Sequence, residues 1–444
     1  MSVVAGWVEQ VSESTPPTPL TLRSFWRDLP REGRLLLSVV GVQFLGTGLV
    51  LPFLVVYLHE IRGFSLSDVG LLIGLGPLIG FLVVGPGGAA IDTLGARRVI
   101  LFATVLMIAG DITLAFASTL PLAAVAVSLQ GIAWGIDWPA SQSLIAVAVP
   151  SELRPKYFGI SFTLLNLGIG IGGIIGGFFV DVQRPVTFQL IYLIDAVSFL
   201  PVLYLLLFPL RHLAGRPVHD DADEPLVTES YLQVLRRPAV AMVVALSFVS
   251  GYVGYAQLNA GTQAFARDVG EVSTRGLGFA YACNTLVIVL LQLVVLRRIE
   301  GHRRTRVIMV MSMIWAVAWL TLGASGLIPG TLGATVLVAA CTSIFALGET
   351  LMQPTVPPLV NDLAPDHLRG RYNAVSTGAF SLAAILAPIT AGWLIGHGLS
   401  SLYIWQLVAG CALVAWVARR LERSLPPTAN GLPAPETETT SVSG

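Results

Sequence analysis

The sequence predicts an all-α polytopic membrane protein with twelve transmembrane helices in two pseudo-symmetric six-helix bundles, and three observations carry that prediction. Of 444 residues, 54% are hydrophobic and only 12% charged, about half the charge that a water-facing surface carries. Twelve apolar stretches free of Lys and Arg follow one another along the chain, most of them close to the length of about 20 residues that crosses a hydrocarbon core. Finally, 22 of the 26 Lys and Arg residues fall on one set of alternate connections, as the positive-inside rule requires.

The first six stretches are 35–58, 68–90, 99–118, 120–149, 158–180 and 187–208. The second six are 239–265, 277–296, 307–328, 331–360, 373–396 and 401–417. The fourth and tenth contain prolines and exceed one straight crossing, which predicts tilted or bent helices. With the amino terminus inside, only Arg62, Arg184, Arg267 and Arg275 lie on the outer side, and no basic residue is left for the membrane interior. A multi-pass protein of the cell membrane with both termini cytoplasmic is the expectation.

Residues 1–34 read as a cytoplasmic segment; their apolar run starts too late and is too long for a signal peptide, so the first span is expected to direct insertion. The two bundles are then 35–208 and 239–417, joined by a cytoplasmic linker, 209–238. Its DDADE run suits a solvated spacer. A cytoplasmic, largely disordered tail, 418–444, is rich in Pro, Thr, Glu and Ser.

An internal repeat crosses the linker. Pro139 precedes Leu153, Arg154, Lys156 and Tyr157 as Pro354 precedes Leu368, Arg369, Arg371 and Tyr372, each pair 215 residues apart. Duplication of a six-helix unit explains that agreement, and halves related by an axis along the membrane normal hold substrate at their interface.

Composition also excludes functions. Without a basic domain or tail, nucleic-acid binding has no electrostatic basis. Cys283, Cys341 and Cys411 stand singly in apolar stretches, and the six histidines form no ligand-spaced cluster, so neither a metal nor another cofactor is expected. No GxxxxGK[ST] loop occurs and Lys156 is the single lysine, which removes direct coupling to ATP. Secondary transport of a small organic substrate, by one chain among membrane lipids, remains.

The connection between the second and third stretches reads GGAAIDTLGARRV. Gly88 would admit a neighbouring helix, Asp92 places a carboxylate at the membrane edge, Gly95 permits a tight turn, and Arg97 and Arg98 can pair with Asp92 or acidic headgroups. The fifth stretch carries Gly159, Gly168, Gly170, Gly172, Gly173, Gly176 and Gly177; glycine costs about 1 kcal/mol against alanine inside a helix, so close interhelical packing has to offset them.

On these residues the chain resembles the major facilitator superfamily. Gly88 to Arg98 match the signature between helices 2 and 3 of that family, and the resemblance implies a latch against helix 11 with Asp92 as a conformational switch residue. Val294 and Arg298 replace its glycine and acid in the second half, so only topology and lipid contact are expected there. The helix 5 glycines Gly159, Gly168, Gly172, Gly176 and Gly177 resemble the signature of proton-driven exporters, with Gly173 where that signature has proline. Val127 stands three positions before Gln130-Gly131 where many such exporters carry arginine.

Four acids fall inside spans: Asp111, Asp137, Asp195 and Glu349. A bare carboxylate in hydrocarbon costs several kcal/mol, so each is expected to be protonated, hydrogen-bonded or in a wet cavity. The family fold lines its cavity with helices 1, 4, 7 and 10. That implies Glu349 and Asp137 as proton-coupling candidates, with Asp111 and Asp195 hydrogen-bonded inside the first half. Gln43, Phe53, Trp134, Trp138, Tyr252, Tyr255, Gln257 and Asn259 complete the candidate lining, whose aromatics and amides suit a bulky amphipathic or cationic molecule. The resulting expectation is a proton-coupled exporter of drugs or metabolites; an uptake symporter and a non-transporting sensor are the alternatives.

Overall fold

In lipid a backbone must satisfy its own polar groups, and uncharged runs of this length do so as helices. The computed structural model describes residues 22–213, 233, 235–299, 301–352, 354–365, 369–427 and 429–432. The DDADE spacer, the distal tail, residues 1–21 and Leu368 of the repeat lie outside the described residues.

Among the described residues twelve helices are long and apolar enough to cross a membrane. Spans 1 to 6 are Arg31–Ile61, Leu66–Leu94, Ala96–Phe116, Leu120–Ala148, Ser151–Phe179 and Pro185–Leu207. Spans 7 to 12 are Pro238–Leu258, Thr274–Gln292, Arg304–Ser325, Leu332–Leu363, Arg371–Gly396 and Ser400–Glu422. This is a multi-pass membrane protein. The end of the bundle near residues 31 and 422 is called here the terminal end, and the opposite one the far end.

Two expected helices are broken. The seventh stretch stops at Val253, turns through Gly254, runs again over Tyr255–Leu258, and resumes as Gly261–Asp268. Near Pro354 the tenth divides into Leu332–Met352 and Val356–Leu363, because proline cannot donate to the preceding turn. Span 4 instead stays continuous through Pro139. Between spans 2 and 3 the chain turns at Gly95, whose φ of 87° favours glycine.

Packing repeats between the halves. Span 1 lies against spans 5 and 6, and span 4 against spans 2 and 3; span 7 lies against spans 11 and 12, and span 10 against spans 8 and 9. Across the halves span 2 meets span 11 and span 5 meets span 8. Exchanging the halves exchanges these contacts, which is the two-bundle architecture.

The span 5 glycines serve two faces. A methyl group at Gly168, Gly172 or Gly176 would strike the backbone of span 1 at Phe44 to Leu49, whereas one at Gly177 would fall 3.2 Å from the Thr274 carbonyl oxygen of span 8. Gly170 faces Thr285 and Gly173 lies near Tyr281 and Gly278, also on span 8. Gly159 has no neighbour within 4 Å of the same point and plays no packing part, contrary to expectation.

In the second half Trp315 and Trp319 are fully buried. Their rings lie 4.9 and 5.5 Å from the Phe345 ring, and their indole N–H groups donate to the Phe345 and Val253 carbonyls at 3.1 and 3.0 Å. Beyond span 12 the chain returns to the start of span 9. There Asn430 Oδ1 accepts the Thr305 N–H at 3.0 Å, its Nδ2 donates to Thr305 Oγ1 at 3.1 Å, and its carbonyl accepts the Arg304 N–H at 2.9 Å. Asn430 thereby serves the helix start as an N-cap side chain does.

Candidate functional site

Spans 1, 3, 4, 5 and 6 enclose a cavity of about 380 Å³ within the first half. Its polar groups are few: Gln43, Thr104, Asp137, Ser141, Gln142, Tyr157 and Ser161. Trp134, Trp138 and Phe162 supply broad apolar walls and remain 47%, 59% and 42% exposed, which leaves ring surface for a guest. The Ser141 hydroxyl donates to Asp137 Oδ2 at 3.4 Å. One weak donor and a partly exposed position leave that carboxyl open to a proton or a cation.

Glu349 does not share this cavity. It is 8% exposed, hydrogen-bonded to Tyr255 and Asn284, and its Oε2 has no partner. The expected meeting of Asp137 and Glu349 in one lining therefore does not occur in this conformation. Tyr252 is taken up by Thr390 at 2.6 Å and Gln406 at 3.3 Å. Gln257 is fully buried and accepts the Tyr403 hydroxyl at 3.1 Å, while Asn259 is exposed at the break in span 7. Phe53, expected in the lining, is a packing residue fully buried against span 5 at Gly176.

The two ends differ. At the far end Arg267 of the second half grips Glu60 of the first with two nitrogens at 2.7 and 2.5 Å, and donates to the Val272 carbonyl. Deeper in, Gln263 donates to the Leu51 carbonyl and the Tyr281 hydroxyl, both at 2.9 Å, and accepts the Val55 N–H at 3.3 Å. Span 11 presses on span 2 so closely that a methyl group at Gly392 would fall 3.0 Å from the Gly70 Cα. Neither Gln263 nor the Glu60–Arg267 pair stood out in the sequence. The available signal was an amide four residues beyond Asn259 and an acid and a base flanking outer connections.

The latch elements lie at the terminal end. Gly85 and Gly88 have nothing within 4 Å of where a side chain would begin, so Gly88 admits no helix here. Asp92 is exposed with no hydrogen bond or ion pair among the described residues. Arg97 donates to the Leu206 carbonyl of span 6 at 2.7 Å, inside its own half, and Arg98 is exposed. Among the described residues Asp92 and Arg97 make no contact across the halves, whereas the far end is held by contacts between them.

The family model described as Major Facilitator Superfamily matches residues 36–273 and 260–443. The chain is 26% identical over 389 residues to the MFS-type transporter YttB of Bacillus subtilis (strain 168), covering 86% of this chain and 92% of that one. It is 22% identical over 381 residues to a Na(+), Li(+), K(+)/H(+) antiporter of Planococcus maritimus, covering 79% and 87%. The crystal structure of nucleoside transporter NupG superposes with a TM-score of 0.71 at 12% identity, covering 88% of this chain and 99% of that one. At that identity the likeness is one of fold.

Proposed function

This chain belongs to the Major Facilitator Superfamily, and from that premise we propose that it is a proton-coupled antiporter exporting small amphipathic organic compounds. Secondary active transport of small molecules by alternating access, without enzymatic chemistry, comes with the family; export and proton coupling are our reading. One observation carries it: an aromatic-walled cavity with a weakly satisfied carboxyl, Asp137, accompanied by a far end held by contacts between the halves.

The terminal end faces the cytoplasm, as the basic residues direct. A planar or cationic amphipath enters there, stacks on Trp134 and Trp138, and replaces a proton at Asp137. The gates then exchange: Asp92 engages, the Arg267–Glu60 pair parts, and substrate leaves through the far end. An external proton returns through Asp137 or Glu349. Glu349, held by Tyr255 and Asn284, exchanges only when span 7 moves at its break. The relative that exchanges alkali cations for protons supports antiport chemistry on this scaffold. A single chain contains every part this cycle uses.

Paired flux in proteoliposomes with an imposed pH gradient tests the cycle, with a lipophilic cation dye as probe. Wild type should accumulate dye against its gradient. Asp137→Asn and Glu349→Gln should lose that accumulation and keep downhill exchange. Full accumulation by both variants would remove proton coupling through these acids, and dye and protons moving the same way would make the protein an uptake symporter.

A further inference from the structure

Outside the cavity, the first half buries a second pair of acids. Asp111 of span 3 and Asp195 of span 6 are 1% and 4% exposed; their two helices pack together, and each acid lies one turn from a residue that lines the cavity, Met107 and Phe199. Their donors are neutral: Gln130 Nε2 reaches Asp111 Oδ1 at 2.7 Å, and the Ser198 hydroxyl reaches Asp195 Oδ1 at 3.3 Å. Two further groups are unpartnered there. Asp111 Oδ2 is buried without a hydrogen bond, as is the hydroxyl of Tyr192, which is 1% exposed and lies one turn before Asp195.

We propose that Asp111 and Asp195 form a second acid site, apart from Asp137 and Glu349, that binds one exchangeable proton between them. Like charges this deep in a low dielectric cannot both stay ionised. Among the described residues the groups around the pair are uncharged: span 4 presents Gln130, span 1 the backbone at Gly46, and span 6 Tyr192 and Ser198. Arg62 at the far end of span 1 is taken up by the Tyr57 hydroxyl at 2.9 and 2.6 Å and the Ala115 carbonyl at 2.6 Å. One proton shared between the carboxyls supplies the hydrogen bond that the unpartnered Asp111 oxygen lacks.

A metal cation fits less well. A methyl group at Gly46 would fall 2.6 Å from Asp195 Oδ1, so span 1 lies directly on that carboxyl. Among the described residues no third acid, His or Cys joins the pair.

The pair lies between the cavity and the far end. Met107 and Phe199, each one turn from an acid of the pair, line the cavity, and Ser198 also donates to the Gln43 carbonyl at 3.4 Å. On the other side the Tyr192 ring lies 4.9 Å from the Tyr57 ring, whose hydroxyl leads to Arg62 and the far end. The site thus adjoins the cavity floor. It depends neither on the direction of transport nor on the roles given to Asp137 and Glu349.

Infrared spectroscopy of the purified full chain tests this with the proton itself as probe. Asp137→Asn/Glu349→Gln leaves the pair intact and should keep a carboxylic C=O band that shifts in D2O and is lost as pH rises. In that background Asp111→Asn and Asp195→Asn should each move the midpoint, and the two together should abolish the band. No band in the first variant, a midpoint indifferent to either change, or a band surviving both would overturn the proposal. So would loss of the band when sodium replaces choline at constant pH, which would identify an alkali cation as occupant.

Discussion

Span 4 and span 10 descend from one repeat and do opposite things with it. At the 215-residue offset that relates Pro139 to Pro354, Gln130 corresponds to Phe345, Trp134 to Glu349 and Asp137 to Met352. In the first half the amide serves a buried acid, while tryptophan and carboxylate face an open cavity. In the second half phenylalanine seats two buried tryptophans and the acid is held inside a polar knot. A shared backbone register therefore leaves packing free to diverge: in one bundle these positions border space for a guest, and in its twin they are buried.

The largest expected effect tests that division of labour. Trp315→Ala should destabilise the second half by about 3–5 kcal/mol, the usual cost of emptying a large buried aromatic site. Trp134→Ala, half exposed at the cavity, should change stability by only about 0.5 kcal/mol and weaken binding of a planar cation about five-fold. Thermal unfolding in detergent and equilibrium binding read both; comparable destabilisation by the two changes would erase the contrast between filled and open halves.

A smaller effect is expected where the halves meet. Glu60→Gln removes a partly exposed ion pair, worth roughly 0.2–1 kcal/mol, so the far-end-open population should rise by up to about five-fold. Distances between spin labels on spans 1 and 7 would report it, and an unaltered distribution would mean that the Gln263 contacts and the packing of span 11 on span 2 hold that end without the ion pair. Least of all should Asp92→Asn alter the present conformation, where the carboxylate has no partner among the described residues. Stability and affinity should stay put while transport slows, because the latch is needed in the opposite state. An unchanged rate would leave Asp92 a surface residue.

Much of the fold was legible because charge and hydropathy are properties of the chain itself. Long apolar stretches marked the twelve spans, and the glycines of the fifth stretch already called for close helix packing. What faces what was not legible. Trp315 on an apolar helix reads the same whether it meets lipid or Phe345, and Phe53 gave no sign that span 5 would cover it. Glu349 and Asp137 look equivalent as acids on lining helices; only the fold reveals that one is enclosed and the other open. Reading 239–265 as one helix hid Gln263, although Gly254, Asn259 and Gly261 marked the break that lets its amide reach span 1.

Asn430 has a practical consequence for anyone shortening this chain. Because its side chain closes the start of span 9, a carboxy-terminal truncation at Arg423 would strip the Thr305 amide of its partner and release the Arg304 backbone as well. A cut placed after Leu432 keeps the clip. An affinity handle or rigid fusion partner attached there would begin from an anchored point on the second bundle, giving crystallographers and microscopists a fiducial that reports the orientation of that bundle.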